Sequence, residues 1–178
     1  MPTPDRTSLD AIVTAARDLL EAEGLAALTM NAVAARVGVR APSLYKRVDN
    51  RDRLIQLVAE ATLLDMSSRL TPQQDVRQIA DAFRAYGHER PAAFQLILAP
   101  APGTPVADPH YRDAVTHDIL RAAGDLAGPD EALEAARLVV AWASGFVTME
   151  LNGAFQLGGD VDAAWSYGVE RIVAAITR

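Results

Sequence analysis

The sequence predicts an all-α protein, a short three-helix head followed by a larger six-helix body. Three observations carry this. Apolar residues recur at three- and four-residue spacing along nearly the whole chain, while period-2 alternation is rare. Half of the 178 residues are hydrophobic, enough for a sizeable core and too many for a disordered chain. Clusters of Gly and Pro, at Thr71-Pro72, 99–109, Gly128-Pro129 and Gly158-Gly159, separate the periodic segments.

Taken in order, Ser8 is expected to cap a first helix, whose apolar stripe is Leu9, Ile12, Val13, Ala16, Leu19 and Leu20, with Gly24 as its stop. Thr29 caps a second helix, Met30 to Val37, closed by Gly38. A third is expected from Ala41 to Arg47, with Pro42 tolerated in its first turn. Asn50 caps a fourth, running to Leu70. Thr71-Pro72 breaks the chain, and helices follow from Gln73 to His88 and from Pro91 to Leu98. Residues 99–109 hold four prolines and Gly103 and form the one long irregular connection. Further helices are expected from His110 to Ala123, Glu131 to Phe155 and Val161 to Ile176, divided at Gly128-Pro129 and at Gly158-Gly159-Asp160. The head is read as 1–53 and the body as 54–178.

Composition narrows the function. Without cysteine there are no disulfides, thiolate metal sites or thiol chemistry. No segment is expected to approach the roughly 18 apolar residues of a membrane span, and Met1 to Asp10 is polar, so no membrane role and a cytoplasmic location are expected. The net charge is −6, but its distribution is uneven. Between Thr29 and Arg53 six basic residues (Arg36, Arg40, Lys46, Arg47, Arg51, Arg53) face two acidic ones, whereas from Leu54 onward nine basic face sixteen acidic. A basic segment ahead of an acidic body suits contact with a polyanion at one end.

The informative stretch is Leu28 to Leu54, LTMNAVAARVGVRAPSLYKRVDNRDRL. It reads as helix, tight turn, helix. Ala34 allows close helix approach, and Gly38, four residues on, permits the positive φ of the turn. With Val33, Val37 and Leu44 facing the first helix, Arg40, Ala41, Ser43, Lys46 and Arg47 are left pointing outward. The N-terminal residues of such a second helix reach base edges in the major groove. Thr29, at a helix N-terminus, suits a phosphate, and the Tyr45 hydroxyl can reach one while its ring packs. A plain three-helix packing unit is the alternative.

The order T-M-x-x-V-A-x-x-V-G-V-x-x-x-S-L-Y-x-x-V, followed by a capped helix at Asn50-Arg51, resembles the N-terminal head of TetR-type transcriptional regulators over about Leu9 to Leu57. The one departure is Val48, where the family usually has Phe. The resemblance implies that Thr29 and Tyr45 contact phosphates and that Arg40, Ala41, Pro42, Ser43 and Lys46 lie in the recognition helix. Arg51 falls where the family often has Lys, at the start of the helix linking head to body. The stretch Trp142 to Phe155 also resembles a subgroup whose C-terminal domain carries Trp, then His-Gly: Trp142, Gly145, Leu151, Gly153 and Phe155 match, with Ser144 in place of His.

Two heads spaced about 34 Å apart read a palindrome in double-stranded DNA, so the body is expected to make a homodimer. Gly145 and Gly153 on one late helix and Trp165, Val169, Ile172 and Ile176 on the next are the expected seam, with internal core as the other reading of these residues. By the resemblance the body also holds an unknown small-molecule effector; Phe83, Tyr86, Phe94, Leu98, Tyr111, His117, Trp142, Phe146 and Met149 are the candidate lining. Glu150, on a largely apolar helix, needs a partner if buried: a cation, Arg137 or His117. The expected function is a repressor that releases its operator when the effector binds. A helical partner-binding protein with no DNA role is the alternative. An enzyme is disfavoured, since no His-Glu-x-x-His spacing, nucleophile motif or phosphate loop is present and no nucleophile–base pair can be proposed. No catalytic residue, metal site or cofactor is expected.

Overall fold

A computed structural model describes residues 8–71 and 75–178. The expected helix start at Gln73 and the break at Pro72 lie outside the described residues, as does Met1 to Thr7. The described residues form nine α-helices: α1 (Leu9–Glu23), α2 (Met30–Val37), α3 (Ala41–Leu44), α4 (Arg51–Leu70), α5 (Val76–Glu89), α6 (Pro91–Leu98), α7 (Pro109–Ala127), α8 (Ala132–Leu151) and α9 (Val161–Ile176), with a 3-10 turn at Leu25–Ala27.

Most ends are set by the caps the sequence carries. The Ser8 hydroxyl accepts from the Ala11 amide at 3.2 Å, Thr29 accepts from Ala32 at 3.2 Å, Asn50 accepts from Arg53 at 2.8 Å, and Asp160 accepts from Asp162 and Ala163. Asp75 does the same for α5, accepting from Gln78 at 2.9 Å. Three helices differ from expectation. α3 stops at Leu44 because the Arg47 amide turns back to the Leu44 carbonyl, tightening the last turn to 3-10 geometry. α7 runs on to Ala127, four residues further than expected, since the alanines there bury well. α8 ends at Leu151 rather than Phe155: the Ala154 amide bonds the Met149 carbonyl and Gly153 bonds Glu150, a Schellman closure.

The chain packs as two compact units. The first comprises residues 1–63 with 90–111, so the expected boundary after residue 53 falls inside α4 and α6 belongs with the head. Its core is Ile12, Ala16, Leu20, Leu28, Val33, Leu44, Val48, Leu54, Ile55 and Val58, all fully or nearly buried. Val48, smaller than the Phe usual in the family, fills its place at the base of this core.

The second unit comprises 64–89 with 112–178. α5, α8 and α9 pack mutually. Ala135, Ala136, Val139, Ala143 and Val147 line the buried face of α8, and Trp165, Val169 and Val173 that of α9. At one end Ala123, Ala127, Ala135 and Ala136 make a small-residue cluster against which Leu120 and Ile176 pack. α8 departs from the expectation that no segment approaches a membrane span: by length and composition its 20 residues suffice. Its inward alanines and valines pack on α5 and α9, with 33% of the apolar stretch buried, and one such helix is weak evidence of a membrane span.

Trp142 stacks on Trp165 with ring centroids 4.9 Å apart, and Phe146 meets both rings. This stack is possible because α9 carries Gly168 beneath it: a Cβ there would run into the Trp142 ring atoms Cζ2, Cη2 and Cε2. Trp165 Nε1 donates to Asp81 on α5 at 2.7 Å, so the indole is satisfied inside the unit.

Candidate nucleic-acid interface and effector site

The turn between α2 and α3 closes as the sequence suggests. Gly38 sits in the left-handed region (φ 75°, ψ 34°), its amide bonds the Ala35 carbonyl, and Val39 bonds Ala34. Leu44 and Val48 are then buried. That orientation turns Arg40, Pro42, Tyr45, Lys46 and Arg47 outward, with Ala41 and Ser43 half-buried between them. Tyr45 is 53% exposed, so its ring packs less than expected and its hydroxyl is open to a ligand. Thr29 is exposed at the N-terminus of α2, although its hydroxyl already accepts from Ala32.

Two of the six basic residues are committed elsewhere. The Arg51 guanidinium points inward, donating from Nε to the Leu28 carbonyl at 2.7 Å and from Nη2 to the Leu25 carbonyl at 2.8 Å. It thereby satisfies the Leu28 carbonyl at the exit of the 3-10 turn, where no helix continues to take it, and adds a second donor to the Leu25 carbonyl, which also accepts the Leu28 amide at 3.2 Å. Arg53 binds the carboxylate of Glu60 at 3.1 Å, and Glu60 is 4% exposed. A buried carboxylate demands such a partner. The positive face of the head therefore consists of Arg40, Lys46 and Arg47, with Arg36 alongside and 3.9 Å from Glu23.

The expected effector lining draws on both units. Phe94, Leu98 and Tyr111 belong to the first unit and the other six to the second. Phe83, Tyr86 and Phe94 are core residues, while His117 and Met149 are exposed. Trp142 and Phe146 share an aromatic cluster with Phe155 and Trp165. One cavity in the second unit, of about 440 Å³, is lined instead by Asp81, Arg84, Ala85, His88, Glu150 and Asp162.

Arg84 is the hub of that cavity. It binds Glu150 on α8 and Asp162 in the first turn of α9, and lies over the Trp165 ring at 5.3 Å. His88 Nε2 is 2.9 Å from Glu150 Oε2, the oxygen that Arg84 Nε also reaches at 3.0 Å. Thus Glu150 finds its partner on α5, and neither Arg137 nor His117 supplies it. The Arg84 hydrogen bonds hold the Glu150 carboxyl below the usual carboxylate range, against a smaller opposing effect of burial, with His88 adding to the lowering. Sequence reasoning missed Arg84, Asp81 and Asp162 because each is one charged residue among many; only the placing of three helices brings them together.

The expected dimer seam also divides. Trp165 and Val169 are buried within the protomer, which places these two in its core, and the half-buried Ile176 packs on the alanine cluster. Ile172 is half-buried. Gly145 and Gly153 are exposed with open space beyond them. The large apolar residues that face outward here are Leu133, Leu138, Val140 and Met149 on α8, Tyr167 on α9, and Phe155 and Leu157 between them.

Two family models match the chain. Residues 12–58 match the bacterial regulatory proteins of the tetR family, and residues 76–172 match the tetracyclin repressor-like C-terminal domain. The chain belongs to the TetR family. It is therefore a ligand-responsive, DNA-binding transcriptional regulator, and the helix-turn-helix of α2 and α3 is its DNA-binding element. A helix-turn-helix transcriptional regulator of Mycobacterium tuberculosis is 28% identical over 98% of this chain and 84% of its own. Among solved structures, the regulatory protein SCO4313 superposes with a TM-score of 0.81 at 24% identity, covering 95% of this chain and 97% of that one. BioQ bound to its natural double-stranded DNA operator superposes with a TM-score of 0.64 at 21% identity, over 94% and 96% of the two chains. These two share the fold.

Proposed function

We propose that the protein is a cytoplasmic homodimeric repressor that binds a palindromic operator and releases it when a small molecule occupies the C-terminal body. The observation that carries this reading is the exposed basic face of α3 and its flanks, held outward by the buried Leu44 and Val48. In this reading Arg40, Ala41, Pro42, Ser43 and Lys46 approach base edges, and Thr29 and Tyr45 contact phosphates. Arg51 supports them from within by holding the 3-10 turn.

The dimer seam is the outward stripe Leu138, Gly145 and Met149 of α8 with Tyr167 of α9, and Gly145 lets the partner helix come close. The effector site is the Arg84 cavity; its volume falls within the roughly 300–1,000 Å³ of small-molecule sites. Asp81, Glu150 and Asp162 set its polarity and the Trp142–Phe146–Trp165 cluster forms its apolar neighbour. An effector that displaces Glu150 or Asp162 from Arg84 alters the register of α8 and α9 against α5, and can favour an arrangement that does not fit the operator. The chain departs from the Trp-His-Gly subgroup pattern at Ser144, whose Oγ is buried without a hydrogen-bond partner.

The test is operator selection from random duplexes followed by fluorescence anisotropy. Enrichment of a palindrome bound by two protomers is the expected result; a selected site without two-fold symmetry overturns the dimeric reading.

A further inference from the structure

α6 starts with Pro91, which has no N–H to offer, so the first two free amides of the helix are those of Ala92 and Ala93. Its own N-cap residue, Arg90, makes no side-chain cap bond. The cap comes instead from a residue about seventy positions earlier. Glu21, in the last turns of α1, receives the Ala92 amide on Oε2 at 3.1 Å and the Ala93 amide on Oε1 at 2.9 Å. One carboxylate thus covers both orphan donors of α6, and its negative charge sits at the positive end of that helix dipole. A second contact lies one turn back on α1, where Asp18 faces the Arg90 guanidinium at 3.6 Å. Both acidic residues project from the helix that packs on α2.

We infer that Glu21 is the positioning residue that couples α6 to the DNA-binding head, so that operator binding and the placement of α6 are linked through this one carboxylate. α1 carries the recognition unit and α6 follows α5 after a single residue. By linkage, whatever repositions α6 must change DNA affinity by the factor with which DNA restrains α6. Charge and reach both matter: Ala removes the cap, while Gln keeps one accepting oxygen and no charge. This inference rests on the DNA-binding reading of the head.

The test is hydrogen exchange of the full-length protein with and without its selected operator duplex, read on peptides covering 41–47 and 91–98. In the wild type, DNA is expected to slow exchange in both peptides, by about fivefold or more at 91–98. In Glu21→Ala the response at 41–47 should persist while that at 91–98 drops below about twofold, with Glu21→Gln between the two. A role confined to stability would change both peptides in parallel and leave their ratio intact, which overturns the inference. An unchanged 91–98 peptide in the DNA-bound wild type overturns it as well, without any variant. If Glu21→Ala does not fold, Glu21→Gln is judged by the same ratio. Absence of any DNA binding refutes the head assignment instead, so the two failures are separable.

Discussion

Gly168→Ala and Gly145→Ala are the same substitution in neighbouring helices, and they should act in opposite directions. At Gly168 the new methyl meets three atoms of the Trp142 ring at distances real Cβ atoms do not show. The ring cannot swing away freely, because it is stacked on Trp165 and flanked by Phe146. Overpacking of this kind costs about 1–3 kcal/mol, and disturbing the aromatic pair costs about 1 kcal/mol more. Replacing a helical glycine by alanine returns about 1 kcal/mol. The net expectation is a loss of about 2 kcal/mol, or roughly 4–8 °C in Tm for a chain of this size. At Gly145 the methyl enters open space, so the protomer should gain up to about 1 kcal/mol, while a seam through Gly145 should dissociate more readily. Urea unfolding at fixed protomer concentration, with sedimentation alongside, measures both. A Gly168→Ala protein as stable as wild type would refute the close-packed Trp142–Gly168 contact, and with it the packing of α8 on α9.

Other consequences of the geometry can be checked individually. Lys46→Ala should lower operator affinity by about 1–3 kcal/mol and relax specificity at the base it approaches, while leaving the melting temperature unchanged. Arg51→Ala should do the reverse, lowering stability by about 1–3 kcal/mol by taking the donor from the Leu28 carbonyl and one of two donors from the Leu25 carbonyl, and leaving the operator affinity of the folded protein intact. Tyr45→Ala, at an exposed site, should weaken DNA binding without altering the thermal melt of the protein. Arg84→Met should destabilise the protein at neutral pH, measured by urea titration from pH 3 to 7. Because the folded Glu150 carboxyl titrates below its unfolded value, the stability its pairing contributes is full above about pH 4 and is lost as pH falls through the depressed value. The wild-type advantage over Arg84→Met should therefore shrink on acidification; an advantage that grows toward pH 3 would contradict the Arg84–Glu150 pairing.

The helices were legible where the chain marks their ends in local chemistry. Ser8, Thr29, Asn50 and Asp160 each make the cap bond their position suggests, and Gly38 takes the left-handed conformation a turn needs. The outward face of α3 followed from helical spacing alone. What failed were assignments that depend on the third dimension. Arg51 and Arg53 read as part of a basic patch, but carbonyls left by the 3-10 turn and a buried Glu60 claim them first. Trp165 read as a seam residue because large aromatic residues favour interfaces, yet it is buried against the Trp142 ring, which Gly168 lets lie close to α9. Aromatic residues were poor guides to the effector site: Tyr86 and Phe94 are fully buried core, and the cavity is built from charged residues that carry no periodic signal. α8 illustrates the same limit, since an apolar helix packed against α5 and α9 has the composition of a membrane span.

The most direct test of the central claim is anisotropy binding to the selected palindromic duplex across a salt series, with Arg40→Ala and Lys46→Ala beside the wild type. A steep salt-dependent affinity that both substitutions reduce would be the predicted result. A folded, helical protein that binds no duplex at low salt, or binds it equally well without Arg40 and Lys46, would contradict the assignment of α3 as the recognition helix.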